Sequence, residues 1–208
     1  MEEPEKGLGR GRTEVLAAIT ELRQICCHPA LVLPDYTGSS GKLEMLLEVL
    51  PGAMAAGRRV LLFSQFTSML KILRKQLEGA GYTCMYLDGE TPAGRRMEMT
   101  KEFNEGDTQI FLISLKAGGT GLNLTGADMV IHYDPWWNPA AEDQATDRAH
   151  RIGQTRKVEV LRLVTHESIE EQVVALGQRK KALFDQLITP GEELVTRLTE
   201  QDIRALFA

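Results

Sequence analysis

Residues 109–124, QIFLISLKAGGTGLNL, decide the fold because they join a compact apolar run to a glycine-rich loop. The run has no alternation of polar and apolar side chains, which is typical of a strand covered on both faces in a parallel sheet. The glycines that follow let the backbone approach a ligand and expose N–H groups that suit a phosphate, whether from a nucleotide or from a nucleic-acid backbone. A tight turn without a ligand would have the same composition.

The same kind of apolar run recurs along the chain and alternates with helical patterns. This alternation predicts an α/β fold built on a doubly wound parallel sheet. In the first helix an apolar stripe of Leu16, Ile19, Leu22 and Ile25 is expected to face the core, and Pro51-Gly52 is expected to end the second helix. Strands are predicted at 60–63, 83–87, 109–113, 129–133 and 158–163, and helices at 13–26, 42–50, 67–79, 93–104, 140–150, 167–187 and 200–207.

Length and charge restrict the classes of protein that fit. A chain of 208 residues with 43% hydrophobic side chains can bury a sizeable core. We divide it into a helical lead-in at 1–40, a main lobe at 41–165, and a terminal helix with a tail at 166–208. Its 24 basic and 29 acidic residues give 24 − 29 = −5, so contact with nucleic acid must come from a local patch. No apolar run approaches the ~20 residues of a membrane span, and no secretory signal is expected at 1–12.

The cysteines do not form a metal-binding pattern. Cys26 and Cys27 are adjacent, Cys84 stands alone, and none has the C-x-x-C spacing. We expect unreactive thiols in a reducing compartment and no metal site. A zinc site at Cys26, Cys27 and His28 is the alternative.

A nucleotide-binding Walker loop is rejected on spacing. Gly41-Lys42 would require glycine at position 36 and serine or threonine at position 43, where the chain has Tyr36 and Leu43. No other Gly-Lys-[Ser/Thr] is present. If the chain acts on a nucleotide, it supplies only one wall of the site.

The segment 144–154, QATDRAHRIGQ, carries the strongest candidates for phosphate chemistry. On a helix at ~100° per residue, Gln144, Arg148 and Arg151 share one face. Two guanidinium groups on one face repel each other unless an anion lies between them, and their planar shape matches phosphate oxygens. A solvated face paired with Asp143 and Asp147 is the alternative.

The segment 134–139, DPWWNP, holds both tryptophans of the chain in a loop bounded by prolines. Adjacent residues on an extended segment point to opposite sides. One of Trp136 and Trp137 can therefore lie in the core while the other faces a partner. Alternatively, both pack as an anchor of the loop.

Together these segments resemble the C-terminal RecA-like lobe of SWI/SNF-type DNA-translocating ATPases, in helicase superfamily two. The resemblance covers about 16–187, and the motifs follow in the family's order. It implies a P-loop NTPase-like three-layer sandwich, with a brace helix at 167–187. The short links between motifs suit a compact bacterial member. The matching segments are 22–29 (LRQICCHP), 60–66 (VLLFSQF), 87–91 (LDGET), 114–124 (SLKAGGTGLNL), 134–139 and 144–154.

The resemblance also implies roles for individual residues. Arg148 and Arg151 would be arginine fingers that reach the γ-phosphate of ATP on another lobe, and burial in the interior would count against that role. Gln144 and Gly121 would border the nucleotide. The residues expected to face DNA are Lys116, Gly118, Gly119, Trp137, Ser64 and Gln65.

The first lobe of such a motor is not within these 208 residues, so we expect the chain to be a piece of a larger protein. ATP and Mg²⁺ would be held mainly by that first lobe, and this chain alone would bind neither. ATP hydrolysis by this chain alone would be negligible. The implied partners are the N-terminal ATPase lobe, double-stranded DNA and DNA-bound proteins such as RNA polymerase or another nucleoprotein, with no membrane. The location would be the cytoplasm or nucleoid in a bacterium and the nucleus in a eukaryote. The alternative is a non-catalytic module that docks on DNA or protein.

Overall fold

A computed structural model describes residues 5–117, 121–151, 153–187, 199, 201, 202 and 206, with side chains at 13–117, 121–151, 153–179 and those last four positions. Within these residues, helices and strands alternate after a first long helix. The helices are α1 (Glu5–Cys27), α2 (Gly41–Ala55), α3 (Thr67–Gly79), α4 (Ala93–Glu105), α5 (Pro139–Thr146) and α6 (Ile169–Leu187), with a 3₁₀ turn at Pro29–Leu31, and the strands are β1 (Val60–Ser64), β2 (Cys84–Leu87), β3 (Ile110–Ser114), β4 (Met129–His132) and β5 (Glu159–Arg162).

The described strands form one parallel sheet in the order β2-β3-β1-β4-β5. Strand β1 lies in the centre, and Val60 pairs with Ile110 on one side and Met129 on the other. Every residue of β1, β3 and β4 is buried, which explains the lack of alternation in their sequences. The predicted α/β doubly wound sheet is confirmed.

Alternate residues of β1 pack into two separate hydrophobic cores, one on each face of the sheet. Leu62 packs with α2 and α3 on one face, where Leu46 and Leu70 are buried. Leu61 and Phe63 pack on the other face, against residues of α4 and α5. This three-layer arrangement is the one that the resemblance implies.

A third apolar cluster lies beside the main lobe, where α1 from the first part of the chain meets α6 and Leu206 from the last part. Ile19 of α1 and Val173 and Leu176 of α6 pack around Trp137, with Leu206. No described helix is both long and apolar enough to cross a membrane.

Helix α1 buries a face that differs in part from the predicted one. The residues that lose contact with solvent are Ile19, Arg23 and Cys27, which are spaced by four. Leu22 and Ile25 of the predicted stripe remain 40% and 42% exposed. The stripe is thus confirmed at Ile19, which is buried, and at Leu16, which packs against the third cluster, and it is wrong at Leu22 and Ile25. The buried face continues instead through Arg23, which a search for apolar side chains does not count.

Two helix ends also differ from prediction. Helix α2 continues through Pro51 to Ala55, because Leu50 and Ala53 on both sides of the proline are buried and hold the helix together. Helix α5 ends at Thr146 instead of 150. Of the predicted helix at 200–207, only Gln201 and Asp202 have described helical geometry, and the other positions lie largely outside the described residues.

Candidate functional site at the carboxyl edge of the sheet

The loops singled out from the sequence meet at one edge of the sheet. Because all five described strands are parallel, the loops that follow β1, β2, β3 and β4 leave the sheet on the same side. Ligands of open parallel sheets bind beyond this edge. The geometry therefore brings the glycine-rich loop and the two motifs after β4 into one region.

The arginine pair lies after α5 and not on it. The backbone N–H of Ala149 donates to the Thr146 carbonyl over 3.0 Å, and Leu124 after β3 donates to the Arg148 carbonyl over 3.0 Å. Ala149 and Leu124 are both fully buried in the same core cluster. This packing draws the segment out of the helix and against the glycine-rich loop. The prediction that Gln144, Arg148 and Arg151 share one helical face was wrong in its geometry.

Arg148 is buried although it carries a guanidinium. Its side chain is 3% exposed, and within the described parts of the chain its Nε and Nη1 are buried without a hydrogen-bond partner. Burial, and to a smaller extent the positive charge of Arg151, lowers the pKa of Arg148 to about 10. The burial goes against the expectation that both side chains project outward. The effect of the Arg151 charge on this pKa indicates that the two guanidinium groups lie near each other.

Arg151 is exposed and reaches the glycine-rich loop. Its Nη1 donates to the Gly121 carbonyl over 3.4 Å. Gly121 has φ +47°, a left-handed conformation that glycine adopts without strain. Gln144 is exposed on α5. The structure thus joins Arg151 to Gly121 directly.

Gln154 holds this region together, a role that the sequence did not reveal. Its Nε2 donates to the carbonyls of Ala127 and Thr125 over 2.6 Å and 3.1 Å, and its Oε1 accepts from the Arg156 N–H over 2.8 Å. These bonds join the segment after Arg151 to the loop before β4. A glutamine is suited to this role because its amide both donates and accepts.

Ser64 and Asp134 lie beneath the edge and not on its surface. Ser64 and Asp134 are both 0% exposed, and the Ser64 hydroxyl donates to Asp134 Oδ1. The Gln65 N–H donates to Asp134 Oδ2 over 3.2 Å. The expected position of the Ser64 side chain on a DNA-facing surface is therefore corrected, because the hydroxyl satisfies the buried carboxylate of the neighbouring strand. Gln65 is half-buried at the same edge.

Trp137 is the buried member of the tryptophan pair. It is 5% exposed and packs in the third cluster, whereas Trp136 is only half-buried. The guanidinium of Arg23 lies over its ring, 5.0 Å from the centroid. The expectation that Trp137 faces DNA is corrected, because α1 and α6 both cover this ring. The prediction that one tryptophan would lie in the core is confirmed.

The glycine-rich loop carries an exposed Lys116 next to a buried Ala117. Gly118 and Gly119 lie outside the described residues. Arg96 of α4 connects this loop to the one after β2, since it donates to the carbonyls of Thr91 over 2.7 Å, Gly89 over 3.0 Å and Ala117 over 3.5 Å. Sequence analysis does not reveal these contacts, because the three acceptors are backbone atoms.

The cysteines and Lys42 have other roles. Burial raises the pKa of the Cys27 thiol far above its usual range, which disfavours the thiolate that zinc requires. The His28 Nδ1 accepts from the Ala30 N–H over 3.2 Å and so caps the 3₁₀ turn.

Lys42 is buried in an ion pair with Glu170, with 2.6 Å between Nζ and Oε1, and this pair fastens α2 to α6. These placements support neither a zinc site nor a phosphate role for Lys42.

Comparison with known proteins agrees with this fold. Residues 41–153 match the sequence model of the helicase conserved C-terminal domain. The chain belongs to this family. The C-terminal domain of the Sulfolobus solfataricus SWI2/SNF2 ATPase is similar to this helicase domain at 30% identity and TM-score 0.72, over 94% of the chain and 81% of that domain. The recognition of a SWI/SNF-type C-terminal lobe is thereby confirmed.

Longer proteins contain a region like this helicase domain. The Sulfolobus SWI2/SNF2 ATPase core, solved in complex with dsDNA, matches 94% of the chain at 33% identity and TM-score 0.75, over 42% of that core. A putative ATP-dependent helicase/translocase of Bacillus subtilis is 41% identical over 93% of the chain and 22% of its own length. The chain spans about a fifth of the length of the curated relatives it matches.

Proposed function

We propose that this helicase C-terminal domain is the second motor lobe of an ATP-dependent translocase on double-stranded DNA. Two guanidinium groups beside the glycine-rich loop carry the proposal. Arg151 is exposed there, and the Nε and Nη1 of Arg148 have no hydrogen-bond partner among the described residues. In this function, Arg148 and Arg151 stabilise the γ-phosphate of ATP that a first lobe presents. Gln144 and Gly121 border the nucleotide.

The cost of burying the Arg148 charge indicates that an anion binds beside it in the proposed function. An uncompensated buried charge is costly, and a nearby like charge adds to the cost. Phosphate oxygens would accept from both guanidinium groups and remove their repulsion. Such contacts with a transferred phosphoryl group are worth roughly 10³–10⁵ in rate.

The burial of Arg148 requires it to move. Since its Nε and Nη1 make no hydrogen bond to the described residues, the side chain can turn outward without breaking bonds there. Arg151 already lies at the surface, tied by a long bond of 3.4 Å to Gly121. We therefore assign first contact with the triphosphate to Arg151 and a later contact to Arg148.

The side chains at this edge suit phosphate and not a metal ion. The two candidate groups are guanidiniums, and the described residues contain no cluster of three acidic, histidine or cysteine side chains placed for a metal. Mg²⁺ and most of the ATP would accordingly be held by the first lobe. The metal would supply charge neutralisation of the phosphates when bound, and this chain would orient them.

DNA would lie along the same edge. We assign phosphate contacts to Lys116, Gly118, Gly119 and Gln65, with Ser64 and Trp137 supporting the loops from below. Contacts to the backbone fix position without reading sequence, so binding would be sequence-independent and sensitive to salt. Cycles of ATP binding and hydrolysis would close and open the lobes and move them along the duplex. The protein would act where duplex DNA is found, in a nucleoid or a nucleus, on DNA that carries other proteins.

ATP hydrolysis by a protein that carries both lobes tests the proposal. Arg151→Ala and Arg148→Ala should each lower DNA-stimulated turnover by about 10³-fold or more, since a finger supplies charge that no other group replaces. Arg156→Ala is the matched control, because Arg156 lies nearby but donates to Gly57 and Asp128. The 208-residue chain alone should hydrolyse ATP negligibly.

Full turnover in both variants would overturn the finger assignment. If DNA binding then depended on Lys116 but not on the arginines, the chain would instead be a non-catalytic docking module.

A further inference from the structure

The buried contacts of Arg23 connect α1 to the two central loops of the carboxyl edge. Arg23 is 2% exposed and lies in the matching segment 22–29, to which the sequence assigned no role for individual residues. Its Nη1 donates to Gln65 Oε1 over 3.1 Å, and its Nη2 donates to the Pro135 carbonyl. One guanidinium thus joins the loop after β1 to the loop after β4.

Aromatic rings fix the plane of the same guanidinium. It lies 5.0 Å from the Trp137 ring centroid and 5.9 Å from that of Phe66. Trp137 in turn packs against α1 and α6. A cation held over an aromatic face away from water is bound more tightly than at the surface.

The charge of Arg23 is balanced through Asp134. Burial lowers the pKa of Arg23, and the nearby Asp134 carboxylate opposes that shift. Asp134 also accepts from Ser64 and from the Gln65 N–H. Gln65 is therefore held at two points: Arg23 bonds to the Gln65 side chain, and Asp134 bonds to the Gln65 backbone N–H.

We infer that Arg23 is a positioning residue, which sets the loops after β1 and β4 for DNA contact. The inference rests on the proposed DNA role of this edge. Only arginine fits, since its planar fork reaches two acceptors on different loops while one face stacks on a ring. Lysine keeps the positive charge but lacks the planar fork of donors. Arg23→Lys therefore tests the contribution of the fork separately from that of the charge.

The test uses Arg23→Lys and a matched control, Arg74→Lys. Arg74 is exposed on α3 and forms an ion pair within its own helix, with 2.7 Å between Nε and Glu78 Oε1. In a protein with both lobes, ATP hydrolysis is measured as duplex DNA is titrated. Arg23→Lys should raise the half-saturating DNA concentration by about tenfold, the equivalent of one lost buried hydrogen bond. The KM for ATP without DNA and the turnover at saturating DNA should stay within about twofold.

Amide hydrogen exchange of the 208-residue chain provides a second readout. The N–H of Gln65 is bonded to Asp134, and the N–H of Trp136 donates to Glu142 Oε1 over 2.7 Å. Both amides should exchange about tenfold faster in Arg23→Lys, while amides of β3 exchange as in the parent chain. Arg74→Lys should match the parent chain in both experiments.

Each outcome decides between positioning and general stability. A fall in turnover with unchanged half-saturation, or a uniform loss of protection across the sheet, would overturn the inference. If the unaltered protein is not stimulated by DNA, the proposed function fails, while exchange at Gln65 and Trp136 still decides whether Arg23 sets the two loops.

Discussion

Two buried arginines at the same edge of the sheet differ in what surrounds them. Arg23 and Arg148 are 2% and 3% exposed, so both have lost nearly all contact with water. Arg23 bonds to Gln65 and Pro135 and stacks on Trp137, and only its Nε is without a partner. Arg148 has neither Nε nor Nη1 bonded among the described residues, and its charged neighbour Arg151 repels it. A compensated buried charge fixes structure, whereas an uncompensated one indicates a site that a ligand completes.

Substitution of Arg23 should have the largest effect on stability. Arg23→Met removes the donor of two buried acceptors and the partner of Asp134, so we expect a loss of roughly 3–5 kcal/mol in the free energy of unfolding. Urea denaturation of the chain measures it. A loss below about 1 kcal/mol, the usual range of a surface change, would show that the Arg23 contacts are not structural.

The pH dependence of stability tests a third buried basic group at this edge, His132. It is stacked on Phe63 and bonded to Thr146 over 3.0 Å, and burial followed by the charge of Arg162 lowers its pKa to about 4. Since the unfolded chain binds a proton near pH 6.5 and the folded chain does not, stability should fall between pH 6.5 and 4, by up to about 3 kcal/mol.

His132→Asn removes this titration. Denaturation of the parent chain and of His132→Asn at several pH values separates His132 from the carboxylates, which titrate in both. Equal slopes in the two proteins would show that His132 is not held neutral.

A polyphosphate should stabilise the chain through Arg148 and Arg151. Binding to the folded state alone adds about 1–3 kcal/mol at ligand concentrations of ten to one hundred times Kd. Tripolyphosphate should therefore raise the Tm of the chain, and the rise should shrink in Arg148→Met and Arg151→Met. It should persist in Arg156→Met. An equal rise in all of these variants would indicate binding elsewhere on the surface.

Arg148→Met should have the smallest effect on stability, in contrast to the same change at Arg23. Replacing an uncompensated buried charge by an apolar side chain of similar length is often neutral or stabilising. We expect a change within about 1 kcal/mol of zero, measured by urea denaturation beside Arg23→Met. A loss as large as that at Arg23 would mean that Arg148 is compensated and would remove the main support for a ligand-completed site.

Most of the fold could be predicted from the sequence because each buried strand is marked by a short apolar run in its own residues. Val60–Ser64 and Ile110–Ser114 are continuous apolar runs followed by loops, and both are strands within one residue of prediction. The motif order also indicated the family correctly. Helix ends were less predictable, since Pro51 is tolerated only because Leu50 and Ala53 are buried by other elements.

Side-chain placement at the site was only partly predictable. The sequence located Arg148, Arg151 and the tryptophan pair, but it could not say which tryptophan is buried. That depends on α1 and α6 covering Trp137, two elements that lie far from it in sequence. The role of Gln154 was missed because its Nε2 donates to backbone carbonyls, which exist at every position and carry no sequence signal. The role of Arg23 was missed because its acceptors on Gln65 and Pro135 lie 42 and 112 positions away in the chain.

The amino-acid pattern alone predicts the alternation of strands and helices, the parallel sheet, and the set of motifs that meet at its carboxyl edge. Those properties follow from apolar patterning and turn residues that act over a few positions. The tertiary structure decided which of the charged and aromatic side chains are buried and which buried charges have partners. It did so because burial and hydrogen bonding depend on elements that are distant in the chain and meet only in the folded protein.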